Sequence, residues 1–145
     1  MNVLLGVGNE MNGDDAIGVY VARKFKCDGW KAIDCATVPE NYVGEIKRLK
    51  PEKVVIVDAA DMGLKAGEIR IVPKEKIARA TFSTHSIPLS LFVSHLEKYT
   101  NAKIYLIGIQ PKSFYGKLSE EVKKAGEKVI NLIKNDEIEK IEVLR

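Results

Sequence analysis

The sequence has few cysteines, little net charge and no long apolar run, and each absence excludes a class of protein. Only two of the 145 residues are cysteines, Cys27 and Cys35, and they form no CxxC pair, which argues against a disulfide-rich secreted fold. The 23 Lys and Arg residues exceed the 20 Asp and Glu residues by three, without the dense basic stripe typical of nucleic-acid-binding proteins. No apolar run approaches the roughly 20 residues that span a bilayer, so we expect no direct membrane insertion and no nucleic-acid partner.

What remains is the composition of one globular domain. The chain is 46% hydrophobic and 30% charged, and a domain of this size buries roughly two thirds of its unfolded surface without a stabilising metal. Met1 leads straight into a strand-like segment, without the charged and apolar regions of a signal peptide. We therefore expect a single domain over residues 1–145, located in the cytoplasm.

Strand-like and helix-like segments alternate along the chain. Continuous apolar runs predict buried strands at residues 3–7, 31–37, 53–59 and 103–109. Apolar residues at helical spacing predict helices at 17–25, 42–49, 86–96 and 119–133. The alternation indicates an α/β fold, an open and mostly parallel twisted sheet with helices on both faces. Residues 68–72 alternate between polar and apolar, which is typical of an antiparallel edge strand, and residues 138–144 are a candidate for a further edge strand.

Unusual polar residues follow the strands. Ligands of open α/β sheets bind beyond the carboxyl ends of the strands, where this sequence places four groups: Asn9 with Asp14 and Asp15, Asp58 with Asp61, His85, and Gln110. Two carboxylates and an imidazole on one rim suit a divalent metal such as zinc or nickel, and the same groups can act as acid and base without a metal. Of the two adjacent aspartates, we expect Asp14 to cap the first helix and Asp15 to face the site.

Two other interpretations of these residues stay open at this point. Singly, each has a structural role available to it: a helix cap at Asp15, a turn at Asp58 and backbone pairing at His85. A phosphoacceptor receiver module is the sharper alternative, because it gathers an acidic pair, a strand-end aspartate, a hydroxyl and a lysine, which here would be Asp14, Asp15, Asp58, Thr84 and Lys112. Receivers place the acidic pair directly after the first strand, however, whereas a glycine-containing loop intervenes here.

The same residues resemble those of a known protein family. Residues 6–9 (Gly-Val-Gly-Asn), 13–18 (Gly-Asp-Asp-Ala-Ile-Gly), 56–59 (Ile-Val-Asp-Ala) and 84–85 (Thr-His) are similar in order and spacing to the nickel-iron hydrogenase maturation proteases. Further segments resemble the branch that processes hydrogenase 3, of the formate hydrogenlyase type, and related energy-converting hydrogenases. They lie at residues 39–41, 61–64, 67–71, 84–89 and 108–111.

The resemblance implies a hydrolase, an endopeptidase that removes a short C-terminal extension from the hydrogenase large-subunit precursor after nickel insertion and so activates the hydrogenase. Its metal-binding trio carries over onto Asp15, Asp58 and His85, which are also the expected catalytic residues. The first of these positions is Glu in some relatives, so the shorter Asp15 reaches less far. The expected metal is the nickel that the precursor carries, and a tightly bound metal of the protein's own stays open.

The resemblance leaves the chemistry of cleavage open. The metal can polarise the scissile carbonyl or activate water, or one carboxylate can serve as general base in an aspartic-type mechanism. A nickel-dependent chaperone that binds the precursor without cutting it is the non-enzymatic alternative. We expect a monomer whose substrate groove is walled by residues 39–42, 61–64 and 111–116.

Overall fold

The computed structural model describes residues 1–82 and 87–145, and its elements follow the predicted alternation. The strands are β1 (Asn2–Gly6), β2 (Trp30–Asp34), β3 (Lys53–Asp61), β4 (Ile69–Ile71), β5 (Thr81–Phe82) and β6 (Lys103–Ile109). The helices are α1 (Ile17–Lys24), α2 (Val43–Leu49), α3 (Leu89–Tyr99) and α4 (Glu120–Lys134). Short 3-10 turns occupy Gly13–Ala16, Pro39–Tyr42, Lys74–Arg79 and Ile138–Lys140. Within the two described ranges, no helix combines the length and the apolar character needed to cross a bilayer.

The strands form one sheet in the order β2-β1-β3-β6-β4, with β5 paired to the end of β3. Strands β2, β1, β3 and β6 are parallel, whereas β4 runs antiparallel to β6 at the edge. This confirms the predicted open, mostly parallel sheet with an antiparallel edge strand. The register places Leu5 of β1 between Ile33 and Ile56, and Asp58 of β3 opposite Gly108.

Helices cover both faces of the sheet, which explains why β3 is apolar along nearly its whole length. Val55 and Val57 pack in the cluster that contains residues of α1 and α4. Val54 and Ile56 pack in the opposite cluster, with residues of α2 and α3. Because side chains alternate along a strand, Asp58 lies on the same face of β3 as Val54 and Ile56, the face covered by α2 and α3.

Three details differ from the sequence-based expectations. The two-residue strand β5 was not predicted, since its existence depends on antiparallel pairing with Ala60 and Asp61. Residues 138–144 form a 3-10 turn and a single parallel bridge between Val143 and Ile71 instead of a strand. The helix predicted at residues 86–96 is observed as α3 from Leu89, directly after Pro88, and residue 86 lies outside the described residues.

Candidate active site

Asp15 and Asp58 lie at the edge of the sheet where the parallel strands end. Asp58 is fully buried near the end of β3. Asp15 is only 3% exposed and lies in the 3-10 turn that joins β1 to α1. That turn packs against β3. The structure therefore brings both predicted carboxylates to the same rim, as expected for an open α/β sheet.

Two glycines position the turn that carries Asp15. A Cβ atom on Gly18 would lie 2.2 Å from the carbonyl oxygen of Val7 and 2.4 Å from that of Val57. A Cβ atom on Gly6 would lie 2.1 Å from the carbonyl oxygen of Gly18. The first turn of α1 thus lies directly against the backbone of β1 and β3, which is possible only because neither position has a side chain.

The carboxylate of Asp15 is only half satisfied by hydrogen bonds. Its Oδ2 atom accepts a hydrogen bond of 2.9 Å from the backbone N–H of Asn9. Its Oδ1 atom is buried and has no donor among the described residues. A buried polar atom without a partner costs free energy, so this oxygen suits a cation, a proton or a substrate hydrogen as an additional partner.

Asp15 also lines a cavity of about 370 Å³. The other lining residues come from three loops and from β5: Asn9, Asn12, Thr37, Thr81, Phe82 and Phe114. Of the three predicted groove walls, residues 111–116 contribute Phe114, whereas neither 39–42 nor 61–64 contributes to this lining. Thr37, Thr81 and Phe82 were not predicted as site residues. Thr81 and Phe82 reach the cavity through the pairing of β5 with β3, and Thr37 lies in the loop after β2; neither position has a local sequence pattern that indicates it.

His85 and Thr84 lie outside the described residues, so the predicted trio is not complete in this structure. Within residues 1–82 and 87–145, no three His, Cys, Asp or Glu residues form a group that could hold a metal ion. The donor set that is described consists of carboxylate oxygens, which suit hard and borderline divalent cations. Asp15 therefore fits the predicted role of a metal-contacting residue by its chemistry and by its half-satisfied carboxylate.

Asp14 has a different role from the predicted helix cap. Neither the 3-10 turn nor α1 has a side-chain cap. The fully buried carboxylate of Asp14 instead accepts backbone hydrogen bonds from Lys112 at 2.8 Å, Ser113 at 3.1 Å and Ser119 at 2.6 Å. The Ser119 hydroxyl donates a fourth, at 2.9 Å. Asp14 thus fastens the segment after β6 to the turn that carries Asp15.

Gln110 braces the neighbouring loop after β3. It is 6% exposed, and its Oε1 accepts hydrogen bonds from the backbone N–H groups of Met62 at 2.7 Å and Leu64 at 3.2 Å. Its Nε2 donates to the Asp61 carboxylate at 3.1 Å. That bond, followed by one from the Gly63 N–H, lowers the pKa of Asp61. Gln110 and Asp61, both predicted as rim residues, therefore hold the rim together.

Lys112 does not complete a receiver-like site. Its ammonium group pairs with Glu121 of α4 at 3.1 Å, and the carboxylate of Asp14 is occupied by the donors named above. A receiver needs its acidic pair available to a metal and its lysine directed at the phosphoacceptor, so this arrangement disfavours that alternative.

Comparisons with known proteins find similarity over most of the chain. Residues 17–136 match the family model described as hydrogenase maturation protease. The chain is 40% identical to the hydrogenase 3 maturation protease of Escherichia coli strain K12 over 134 residues, which cover 88% of this chain and 85% of that protein.

Solved structures give the same relationship. The solution structure of an endopeptidase, HycI, from Escherichia coli has a TM-score of 0.88 at 36% identity, covering 100% of this chain and 97% of the other. The crystal structure of a [NiFe] hydrogenase maturation protease, HycI, from Thermococcus kodakarensis has a TM-score of 0.81 at 36% identity, covering 94% and 91%. Similarity at this level extends over nearly the whole chain.

Proposed function

The chain belongs to the hydrogenase maturation protease family, and from this premise we propose that it is an endopeptidase that trims the large-subunit precursor of a nickel-iron hydrogenase. The cut removes a C-terminal extension after nickel has been inserted. Membership of a peptidase family favours this function over a receiver domain. The observation in the site that supports it is the buried Oδ1 atom of Asp15, which lacks a hydrogen-bond donor among the described residues and belongs to a residue that lines a cavity.

We propose that Asp15, Asp58 and His85 contact the nickel ion that the precursor carries. Nickel accepts carboxylate oxygens and imidazole nitrogens as ligands, so the trio would test whether the substrate has been loaded. The side chain of Asp15 is one methylene group shorter than the glutamate found at this position in some relatives. The Asn9 N–H holds one of its oxygens and leaves the other for the ion.

The peptide bond is broken by water, and the protein's carboxylates supply the proton transfers. In the aspartic-type route, one carboxylate accepts a proton from water as the hydroxyl adds to the scissile carbonyl carbon. The same proton then passes to the departing amide nitrogen, so that an acid and an amine are released. In the metal-assisted route, the substrate's nickel, held by side chains of the trio, would polarise the carbonyl or the water, and a carboxylate would still carry the proton from the water to the departing amide nitrogen.

Mass spectrometry of the precursor before and after incubation with the protein tests the proposal. Nickel-loaded precursor should lose the mass of its extension, and nickel-free precursor should not. Asp15→Ala, Asp58→Ala and His85→Ala should each abolish the loss. Asp28→Ala is the matched control, because Asp28 is exposed and precedes β2 at the opposite edge of the sheet; it should process normally.

Each other result decides against a part of the proposal. No mass loss from loaded precursor with wild-type protein would refute proteolysis, and binding without cutting would favour the chaperone. Full activity of Asp15→Asn would refute the requirement for a carboxylate at this position. Equal cleavage of nickel-loaded and nickel-free precursor would refute the proposal that the trio senses whether nickel is present.

We further propose that the protein acts as a cytoplasmic monomer. Size-exclusion chromatography with light scattering should then give a mass near 16 kDa.

A further inference from the structure

Three large apolar side chains are exposed beside the candidate active site. Met11, in the loop after β1, is 83% exposed, and Tyr115, in the loop after β6, is 87% exposed. Phe114 is 40% exposed. Single exposed apolar residues are ordinary, but several on adjoining loops at a functional edge are typical of a protein-binding surface.

The two loops that carry these side chains are fastened together. A Cβ atom on Gly13, which has a φ of +55°, would lie 2.7 Å from both the Ser113 carbonyl oxygen and the Tyr115 nitrogen. The N–H of Asp14 donates to the Ser113 carbonyl at 2.9 Å, and its buried carboxylate accepts four hydrogen bonds from the same segment. Because the backbone beneath the apolar side chains is fixed, this segment would lose less conformational entropy when a partner binds than a loose loop would.

This surface is continuous with the cavity that contains Asp15. Phe114 lines that cavity, as do Asn9 and Thr37. Asn9 and Thr37 also line a second cavity, of about 270 Å³, whose wall includes Met11. The two cavities therefore adjoin, with an exposed apolar side chain on each.

The charged side chains that line the second cavity are paired with one another. Arg23, which lines the second cavity, forms ion pairs with Glu10 and Asp34. Asn9 and Thr37, which are uncharged, separate the two cavities. The surface is therefore suited to an uncharged or apolar chain rather than to a strongly acidic or basic one.

We propose that Met11, Phe114 and Tyr115 form a docking surface for an extended, predominantly apolar segment of the hydrogenase precursor next to the bond that is cut. This inference rests on the proposed function, since it identifies the partner as the substrate of the neighbouring site. The segment lies across the two adjoining cavities, its apolar side chains contact these three residues, and its backbone hydrogen-bonds to the amides and hydroxyls between them.

Binding of purified nickel-loaded precursor to the protein, measured by isothermal titration calorimetry, tests the docking surface separately from cleavage. The triple variant Met11→Ser, Phe114→Ser, Tyr115→Ser should weaken binding at least tenfold, as expected when central aromatic contacts are lost. The control is Leu91→Ser with Tyr99→Ser, both exposed on α3; it should bind within twofold of wild type. Unchanged circular dichroism spectra and thermal midpoints would show that both variants are folded.

In cleavage assays, the triple variant should raise KM at least tenfold, because the precursor loses its apolar contacts with the surface. Triple-variant binding within twofold of wild type would overturn the proposal, as would equal weakening by the α3 control. If wild-type protein binds the precursor without cutting it and the triple variant does not bind, the docking surface stands and the proposed proteolysis fails. If wild-type protein does not bind the precursor, both proposals fail.

Discussion

Replacing Gly18 with alanine should destabilise the fold and displace the turn that carries Asp15, because α1 has no room for a methyl group at this position. The added Cβ atom would lie 2.2 Å from the Val7 carbonyl oxygen and 2.4 Å from the Val57 carbonyl oxygen. It would also lie 2.7 Å from the Val7 nitrogen. All three are backbone atoms, in β3 and in the residue that follows β1, so no side-chain rotation relieves the clash.

The size of the effect follows from two opposing contributions. A carbon atom packs against a carbonyl oxygen at about 3.3–3.6 Å, so α1 must move by about 1 Å from two strands at once. Overpacking of this kind typically costs 1–3 kcal/mol. Because the atoms that the new methyl group meets belong to the backbone, we expect the cost of Gly18→Ala to lie at the upper end, about 3 kcal/mol. Alanine's better helix propensity returns about 1 kcal/mol. The expected net loss in the free energy of unfolding is therefore about 2 kcal/mol.

Urea unfolding followed by circular dichroism measures this loss, and Gly44→Ala is the matched control. Gly44 also lies in a helix, but its added Cβ atom would meet only the flexible end of Arg48, at 3.7 Å. Gly44→Ala should therefore stabilise the protein by about 0.5–1 kcal/mol. Under conditions where Gly18→Ala remains folded, it should process precursor more slowly than Gly44→Ala. A Gly18→Ala variant as stable as wild type would refute the close approach of α1 to the sheet.

Two further predictions concern titrating groups. The folded-state pKa of Asp61 is lowered by its hydrogen bonds, so its stabilising effect is present above the unfolded pKa of about 3.9 and is lost as pH falls through the folded pKa. Asp61→Asn should accordingly cost stability at pH 7 and progressively less below pH 4 in urea titrations, and a pH-independent difference would contradict this. Burial, and to a smaller extent the charge of Asp34, raises the pKa of Cys35 to about 12. Because thiolates are the reactive form, Ellman's reagent at pH 8 should label the partly exposed Cys27 in native protein and both thiols only after unfolding. Rapid labelling of both thiols in native protein would contradict the burial of Cys35.

The parallel sheet could be predicted because its strands are buried on both faces. A strand covered by helices on both sides needs apolar residues at every position, and β3 and β6 have this pattern until Asp58 and Gly108. β5 was not predicted, because a strand of two residues is too short to show a periodic sequence pattern. It forms only through tertiary pairing with Ala60 and Asp61. The tail around Val143 has strand-like composition, but it makes only one bridge, to Ile71.

The rim position of Asp15 and Asp58 was predictable for a related reason. Polar residues directly after buried strands must lie at the carboxyl edge of a parallel sheet, where neighbouring strands end together. His85 stays a prediction, since it falls outside the residues that the structure describes. The identity of Asp14's partners was not predictable, because they follow Asp14 by 98 to 105 residues and their side chains give no local signal.

The adjacent residues Asp14 and Asp15 differ in how fully their carboxylates are hydrogen-bonded. Four donors surround the carboxylate of Asp14, and a carboxylate so fully hydrogen-bonded has few lone pairs left to bind a metal. Asp15 accepts one hydrogen bond and buries its other oxygen without a donor among the described residues. Stabilising contacts elsewhere in the fold offset the free-energy cost of that unsatisfied oxygen. They include the contacts of Asp14, which hold the same turn in place. The contacts of Asp14 therefore help to hold the turn that carries Asp15, the residue proposed to contact the metal.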